Sequence, residues 1–185
     1  MKIYIIDKSV EKLDILRQYF KNDDIIFVEE SFSDFMEKTK VECVVSPGNS
    51  FGLMDGGYDN AITKWFGIEL QDRVQKYILD NFYGEQPVGT SFIINANEDG
   101  QQLIHTPTMR TPQPIKEPLI VYQCMRTTLI CAYQNNVKSI LLPLFGGGYG
   151  KLHSEMIAKM MKLAYDQIQN PPKSLNWDYV ENNEI

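Results

Sequence analysis

Two histidines and three cysteines are the chain's whole stock of imidazole and thiol ligands, and none of them recur at the close intervals of a zinc site. No metal and no cofactor is expected. Basic runs are missing as well: 18 Lys and Arg stand against 24 Asp and Glu, a net charge of −6, so nothing could neutralise a row of duplex phosphates. Extended nucleic acid is excluded as an expected partner, but a compact phosphate ligand is not, because backbone N–H donors need no net positive charge. No apolar run approaches the ~18 residues of a membrane-spanning helix, and no basic, apolar, small-residue leader opens the chain. The expectation is a soluble, cytoplasmic protein without membrane contact, its odd set of Cys43, Cys124 and Cys131 kept reduced.

Standard nucleotide-binding patterns are incomplete too. Gly150-Lys151 is followed by Leu152, not by the hydroxyl a Walker loop offers to Mg²⁺, and Phe145 stands where that loop needs its first glycine. Gly146-x-Gly148 would need a third glycine at Lys151 to make a dinucleotide fingerprint.

What the chain does have is glycine in two places. Eight of its twelve glycines fall in Ser46-Pro-Gly-Asn-Ser-Phe-Gly-Leu-Met-Asp-Gly-Gly57 and Phe145-Gly-Gly-Gly-Tyr-Gly150. Each cluster follows an apolar run, Val41–Val45 or Ser139–Pro143, that reads as a buried strand, and each precedes a segment of helical periodicity. Glycine lets backbone approach a ligand closely and take positive φ, so successive N–H groups can converge on one anion beside a helix start. A diphosphate is the expected guest.

The rest of the pattern is βα. Strands are expected at Lys2–Ile6 and Ile25–Val28, and a helix capped by Ser9 carries Val10, Leu13, Leu16 and Phe20 on one stripe. Phe32, Phe35 and Met36 mark a short helix. A tract from Ala61 to Phe82 is expected to bend or divide at Gly67. Gly89–Ile94 and Gln102–His105 read as a hairpin across the turn Asn97-Glu-Asp-Gly100. Four prolines make Thr106–Pro118 an extended loop; helices follow over Leu119–Tyr133 and around Met156–Ile168. Together these predict an α/β fold, a three-layer α/β/α sandwich on a mixed, mostly parallel sheet, with ligands bound beyond the carboxyl ends of the strands. Residues 1–170 are expected to form one domain, and 171–185 a tail that adds an edge strand or drapes over the surface.

Asn49 and Asp59 put polar side chains beside the first cluster, and Tyr58-Asp59-Asn60-Ala61-Ile62 opens a helix. Here the chain resembles the macro domain family, in which a strand ends in Asn-Ala-Ala-Asn and a glycine run then leads into Val-Asp-Gly-Ala-Ile. Ser46-Pro-Gly-Asn49 stands for the first element and Gly56-Gly57-Tyr58-Asp59-Asn60-Ala61-Ile62 for the second. Pro143–Gly150 is similar to the family's diphosphate loop, and Leu103-Ile-His-Thr-Pro107 to its Ile-His-Ala strand; the likeness runs over roughly residues 24 to 170. Ser46 replaces the family's first asparagine, Asp55 interrupts the glycine run, and Glu30-Ser-Phe32 stands where the family has Gly-Asp-Ile-Thr.

The resemblance implies binding of ADP-ribose, or of an ADP-ribosylated protein or metabolite, and hydrolysis of an ADP-ribose linkage. It also admits removal of phosphate from ADP-ribose-1″-phosphate, or binding without turnover. It assigns Asn49 and Asp59 as catalytic, with Asn49 on the distal ribose and Asp59 on that ribose or a water. Ser46, Gly48, Gly56, Gly57, Tyr58, Phe145, Gly146, Gly147, Gly148, Tyr149 and Gly150 become ligand-binding, Tyr149 or Phe145 covering the distal ribose. Glu30, Ser31 or Asp7 would read the adenine. Read from the residues alone, Asn49 could equally form an Asx turn and Asp59 cap a helix. His105 reads as a strand histidine satisfied by backbone, His153 as a helix-start surface residue, and Arg110 as one half of a surface ion pair with a bidentate phosphate contact as its alternative.

Overall fold

The computed structural model describes residues 1–21 and 24–185. Six strands form one sheet: β1 (Lys2–Ile6), β2 (Ile25–Val28), β3 (Cys43–Ser46), β4 (Phe92–Asn95), β5 (Gln102–His105) and β6 (Ser139–Pro143). Their order is β2-β1-β6-β3-β5-β4, parallel throughout except for β4, which runs antiparallel to β5 as the hairpin requires.

Alternation along each strand decides which layer a side chain joins. Ile3, Ile5, Cys43, Val45, Ile104, Ile140 and Leu142 enter the core beneath α1 (Val10–Tyr19), α5 (Leu119–Gln134) and α6 (Ser154–Gln169). Tyr4, Ile6, Val44, Leu103 and Leu141 point the other way, under α2 (Phe32–Lys38), α3 (Gly57–Phe66) and α4 (Glu69–Phe82). Both faces of the sheet are covered, which is why its strands read as nearly continuous apolar runs. This is the three-layer sandwich that the pattern predicts.

Details depart from expectation at the ends. Val10 is half exposed while Leu13, Leu16 and Phe20 are buried, because the first helical residue lies beyond the edge of the packed stripe. The β4 strand starts three residues late: Gly89 takes φ +78° and Thr90 N–H bonds the Pro87 carbonyl, so a turn consumes its beginning. The divided tract is confirmed, with Gly67 at φ +95° between α3 and α4. The tail adds no strand among the described residues; it forms α7 (Trp177–Glu181), where the Tyr179 hydroxyl meets Gln167 Nε2 at 3.4 Å. Among the described residues, no helix is long and apolar enough to cross a membrane.

The sequence leaves β2 at one edge and resumes at β3, on the far side of β6. A crevice opens at such a reversal of strand order, beyond the carboxyl ends. Both glycine clusters emerge there.

Candidate functional site

A cavity of about 520 Å³ lies over the carboxyl ends of β1, β2, β3 and β6, a size ordinary for a small-molecule site. Of the residues assigned from sequence, it is lined by Gly48, Asn49, Gly56, Gly57, Tyr58, Asp59, Gly146, Gly147, Gly148, Tyr149, Gly150, Glu30 and Ser31. Ser46 and Phe145 do not reach its wall.

The first loop ends at Gly56, the N-cap of α3, and no side chain caps this helix. That contrasts with α1 and α2, whose first turns are closed by Ser9 and Ser31. The first-turn N–H groups of α3 thus remain as donors on the cavity side. Gly57 takes φ +53°, and a Cβ built on either Gly56 or Gly57 would lie 3.9 Å from the ring of Tyr149. The exposed Tyr149 therefore spans from the second loop to the first.

Within the second loop the glycines differ in purpose. Gly146 has φ +79°, and its Cβ would strike Leu152 at 2.9 Å; a Cβ on Gly150 would sit 2.7 Å from the Gly146 carbonyl oxygen; one on Gly147 would press on Leu144 at 3.1 Å. These three glycines are required by the fold of the loop itself. Gly148 alone faces open space. The N–H groups of Gly148, Tyr149 and Gly150 have no protein acceptor among the described residues, whereas Gly147 N–H is used on the Leu144 carbonyl. Phe145 is fully buried in the core under α5 and α6, because the chain reverses at Gly146 and turns that ring inward. It cannot cover a ribose.

Asp59 stands in the first turn of α3 and is buried; Ser46 Oγ donates to its Oδ1 at 2.8 Å. Burial pushes the Asp59 carboxyl up to about 7, and the Ser46 hydrogen bond only partly opposes this. The fully buried Ser46 thus supports the carboxyl from below rather than meeting a ligand. Neighbouring Tyr58 packs edge-on against Phe32 at 5.5 Å, and its buried hydroxyl has no partner among the described residues; burial raises that phenol well above its ordinary range, with the Asp59 charge adding to the effect.

Asn49 is turned onto its own loop. Its Oδ1 accepts from Phe51 N–H at 3.1 Å and Leu53 N–H at 3.4 Å, and Nδ2 donates to the Leu53 carbonyl at 2.8 Å. The Asx-turn reading describes this side chain, although it also forms part of the wall. Glu30 Oε2 pairs with Lys38 Nζ at 2.8 Å, and Ser31 Oγ caps α2 by accepting from Asp34 N–H.

His105 corrects the expectation of backbone satisfaction. Gln86 Nε2 donates to the Thr90 and His105 carbonyls, which leaves Gln86 Oε1 as the acceptor for His105 Nδ1–H at 2.6 Å. Nε2 is therefore an unprotonated acceptor with no partner among the described residues, and desolvation lowers the imidazole to about 3, keeping it neutral. It lies under Gly48, where a Cβ would come 2.5 Å from Nε2. That close approach explains the glycine at 48. His153 is the N-cap of α6, as expected for a helix-start residue. Arg110 makes a bidentate pair with Glu85 at 2.7 and 2.9 Å and covers the Phe51 ring, outside the cavity.

Two residues at the wall had no signal in the sequence pattern that assigned a ligand role. Lys12, in the first turn of α1, donates from Nζ to the Gly147 carbonyl at 3.0 Å, and Asp55 shares the wall with Tyr149 of the opposite loop.

A family model described as Macro domain matches residues 45–161. The chain belongs to the macro domain family. As a macro domain it is similar in sequence to an uncharacterized protein of Aeropyrum pernix, 26% identical over 131 residues, which covers 70% of this chain and 66% of that one, just under two thirds. In structure it is similar to the macrodomain of Mycobacterium tuberculosis DarG, with TM-score 0.60 and 19% identity over 71% of this chain and 85% of that one. It is also similar to an Oceanobacillus iheyensis macrodomain mutant with ADPR, with TM-score 0.61 and 22% identity over 71% and 73%. These likenesses establish that the α/β/α arrangement of this macro domain is the family's fold.

Proposed function

We propose that this macro domain binds ADP-ribose in the cavity and hydrolyses an ADP-ribosyl linkage. The family, and a relative of the same fold that carries ADPR, support the ligand. The uncapped start of α3 and the N–H groups of Gly148, Tyr149 and Gly150 would receive the diphosphate, with Gly56 and Gly57 allowing close approach. Tyr149 would cover the distal ribose. Glu30, with one carboxylate oxygen paired to Lys38, would offer the other to the adenine amino group, and Ser31 would line that end.

The observation that carries the hydrolase reading is Asp59, a buried carboxyl at the wall poised near neutral pH. A base works best with a pKa near the operating pH. Asp59 would take a proton from a water as its oxygen bonds to the anomeric carbon, and the bond from that carbon to the substrate's carboxylate, hydroxyl or amine breaks with the electron pair leaving on the departing group. Neither cysteine nor histidine is placed to form a covalent intermediate: the thiols of Cys43 and Cys124 are buried and pushed up by desolvation, His105 is enclosed, and Cys131 and His153 lie away from the cavity wall. Three buried free thiols also suit a reducing, cytoplasmic setting.

A reader that binds without turnover is favoured by one observation, the Asn49 amide already committed to its loop. One experiment separates the two. Calorimetric titration with ADP-ribose is expected to show micromolar or tighter binding, near −8 kcal/mol. Incubation with mono-ADP-ribosylated protein is expected to release ADP-ribose. Binding without release from Glu, Asp, Ser or Arg linkages, and without phosphate from ADP-ribose-1″-phosphate, would leave the reader; no binding at millimolar ligand would remove both.

A further inference from the structure

The glycine loops supply partial charges, yet the wall around them is acidic. Asp7, Glu30 and Asp55, with the partly protonated Asp59, line the cavity against two lysines, Lys8 and Lys12. A diphosphate entering that field meets net repulsion unless a full positive charge sits near its own position.

Lys12 is the cation placed there. It comes from the β1–α1 junction, a third strand-to-helix passage at the same end of the sheet and outside the stretch that matches the family. Asp7 Oδ1 accepts from Ser9 N–H at 2.8 Å and Ser9 Oγ from Lys12 N–H at 3.3 Å, so the start of α1 is fixed. Side chains on a helix lean toward its N-terminus, and this directs Lys12 toward the carboxyl ends of the strands. Its Nζ reaches the Gly147 carbonyl at 3.0 Å and forms an ion pair with Asp7 Oδ2 at 3.8 Å, too long to be a hydrogen bond as well. An ammonium has three donors, and the Gly147 carbonyl takes one. Gly147 is followed directly by the unengaged N–H groups of Gly148, Tyr149 and Gly150.

We propose that Lys12 is a specificity-determining residue of this site, placing a cation beside the second glycine loop so that it contacts the diphosphate of the bound ligand. The assignment rests on the ADP-ribose reading. It makes this chain's N-terminal βα unit part of the site, and it favours ligands with the full diphosphate over those with one phosphate or none.

The test is calorimetric titration of the full chain with ADP-ribose at low and moderate salt, on wild type, Lys12→Gln and Lys12→Arg, each with a melting curve. Glutamine keeps a donor for the Gly147 carbonyl and removes the charge. Lys12→Gln is expected to melt near wild type, to bind about tenfold more weakly at low salt and to lose most of the salt dependence, while Lys12→Arg stays close to wild type. Wild-type affinity and salt dependence in Lys12→Gln would overturn the assignment while leaving the ADP-ribose reading intact. Equal loss in both variants with lowered melting would make Lys12 a tether for the loop and overturn it too. No binding by wild-type protein would remove the reading itself, and the assignment with it.

Discussion

Ser46 and Asp59 lie thirteen residues apart, one ending β3 and the other in the first turn of α3, and share a 2.8 Å hydrogen bond just behind the wall of the cavity. The pair ties the glycine loop between them to the sheet, and it holds a carboxyl where water is scarce. Asp59 is raised from 3.8 to about 7 chiefly by desolvation. Between those values the folded chain holds a proton there that the unfolded chain has lost, so stability falls as pH rises from about 4 to 7. At 1.36 kcal/mol per pH unit the shift amounts to on the order of 4 kcal/mol. Asp59→Asn should remove this slope: denaturant titrations at pH 5 and pH 8 should differ less for the variant than for wild type. Turnover should rise with pH through about 7 in wild type, where the base becomes ionised, and fall on the order of 10²-fold in Asp59→Asn. Equal slopes in the two proteins would show that Asp59 keeps its ordinary value.

Ser46→Ala gives the complementary shift. The Ser46 donor lowers the Asp59 value, so its removal moves the carboxyl further up. The pH–rate midpoint should move to higher pH while the plateau at alkaline pH is largely kept, because only the fraction of ionised base changes.

Gly148 and Gly150 should separate binding from folding. Gly148 faces open space at an ordinary φ, whereas a Cβ on Gly150 meets the Gly146 carbonyl at 2.7 Å. Gly148→Val should melt within a few degrees of wild type and lose ADP-ribose affinity. Gly150→Val should lose stability, by about 1–3 kcal/mol from overpacking, and with it the loop. Undiminished titration heats from Gly148→Val would move the ligand away from this loop.

The layers were readable because burial writes itself into the sequence as period: alternate residues of β1, β3 and β6 serve opposite cores, and Gly67 marks the break its φ demands. The two loops were readable because close approach restricts composition to glycine. Other features had no such trace. Lys12 meets Gly147 across 135 residues, and His105 meets Gln86 across nineteen, distances at which no local pattern exists. Phe145 looked ligand-facing beside its glycines, but the turn at Gly146 decides the ring's direction, and an apolar ring favours the core. Gly48, at the cavity wall, is demanded by the close approach of His105, a contact the local sequence does not show. An Asn-rich turn and a ribose contact use the same residue type, which is why Asn49 could be read both ways.

The buried imidazole of His105 should make the protein acid-sensitive in the opposite sense to Asp59. Its folded value of about 3 lies below the ordinary 6.5, so the unfolded chain takes up a proton first and stability is lost as pH falls from about 6.5 toward 3. Gln86→Leu removes the acceptor of Nδ1–H and should cost about 1–3 kcal/mol at pH 7. Imidazole resonances followed by NMR should show His105 neutral down to about pH 4, with Nδ1 carrying the proton. Titration near pH 6.5 would mean that the ring is hydrated.

Asn49→Ala should affect stability and ligand affinity together. The side chain closes three hydrogen bonds within residues 49–53, and the loop it shapes leads through Met54, itself held by Gln71 Oε1 at 2.7 Å, to Gly56 and Gly57. Each lost bond is worth about 1 kcal/mol, and the freed backbone groups must find water. The variant should therefore melt several degrees lower and bind ADP-ribose more weakly, and its turnover should fall in proportion to affinity once the ligand is saturating no longer. If Asn49 instead meets the ribose directly, Asn49→Ala will melt like wild type and lose affinity alone. Hydrogen exchange at Phe51 and Leu53 decides between the two, since only the loop-forming role exposes those amides in the absence of ligand.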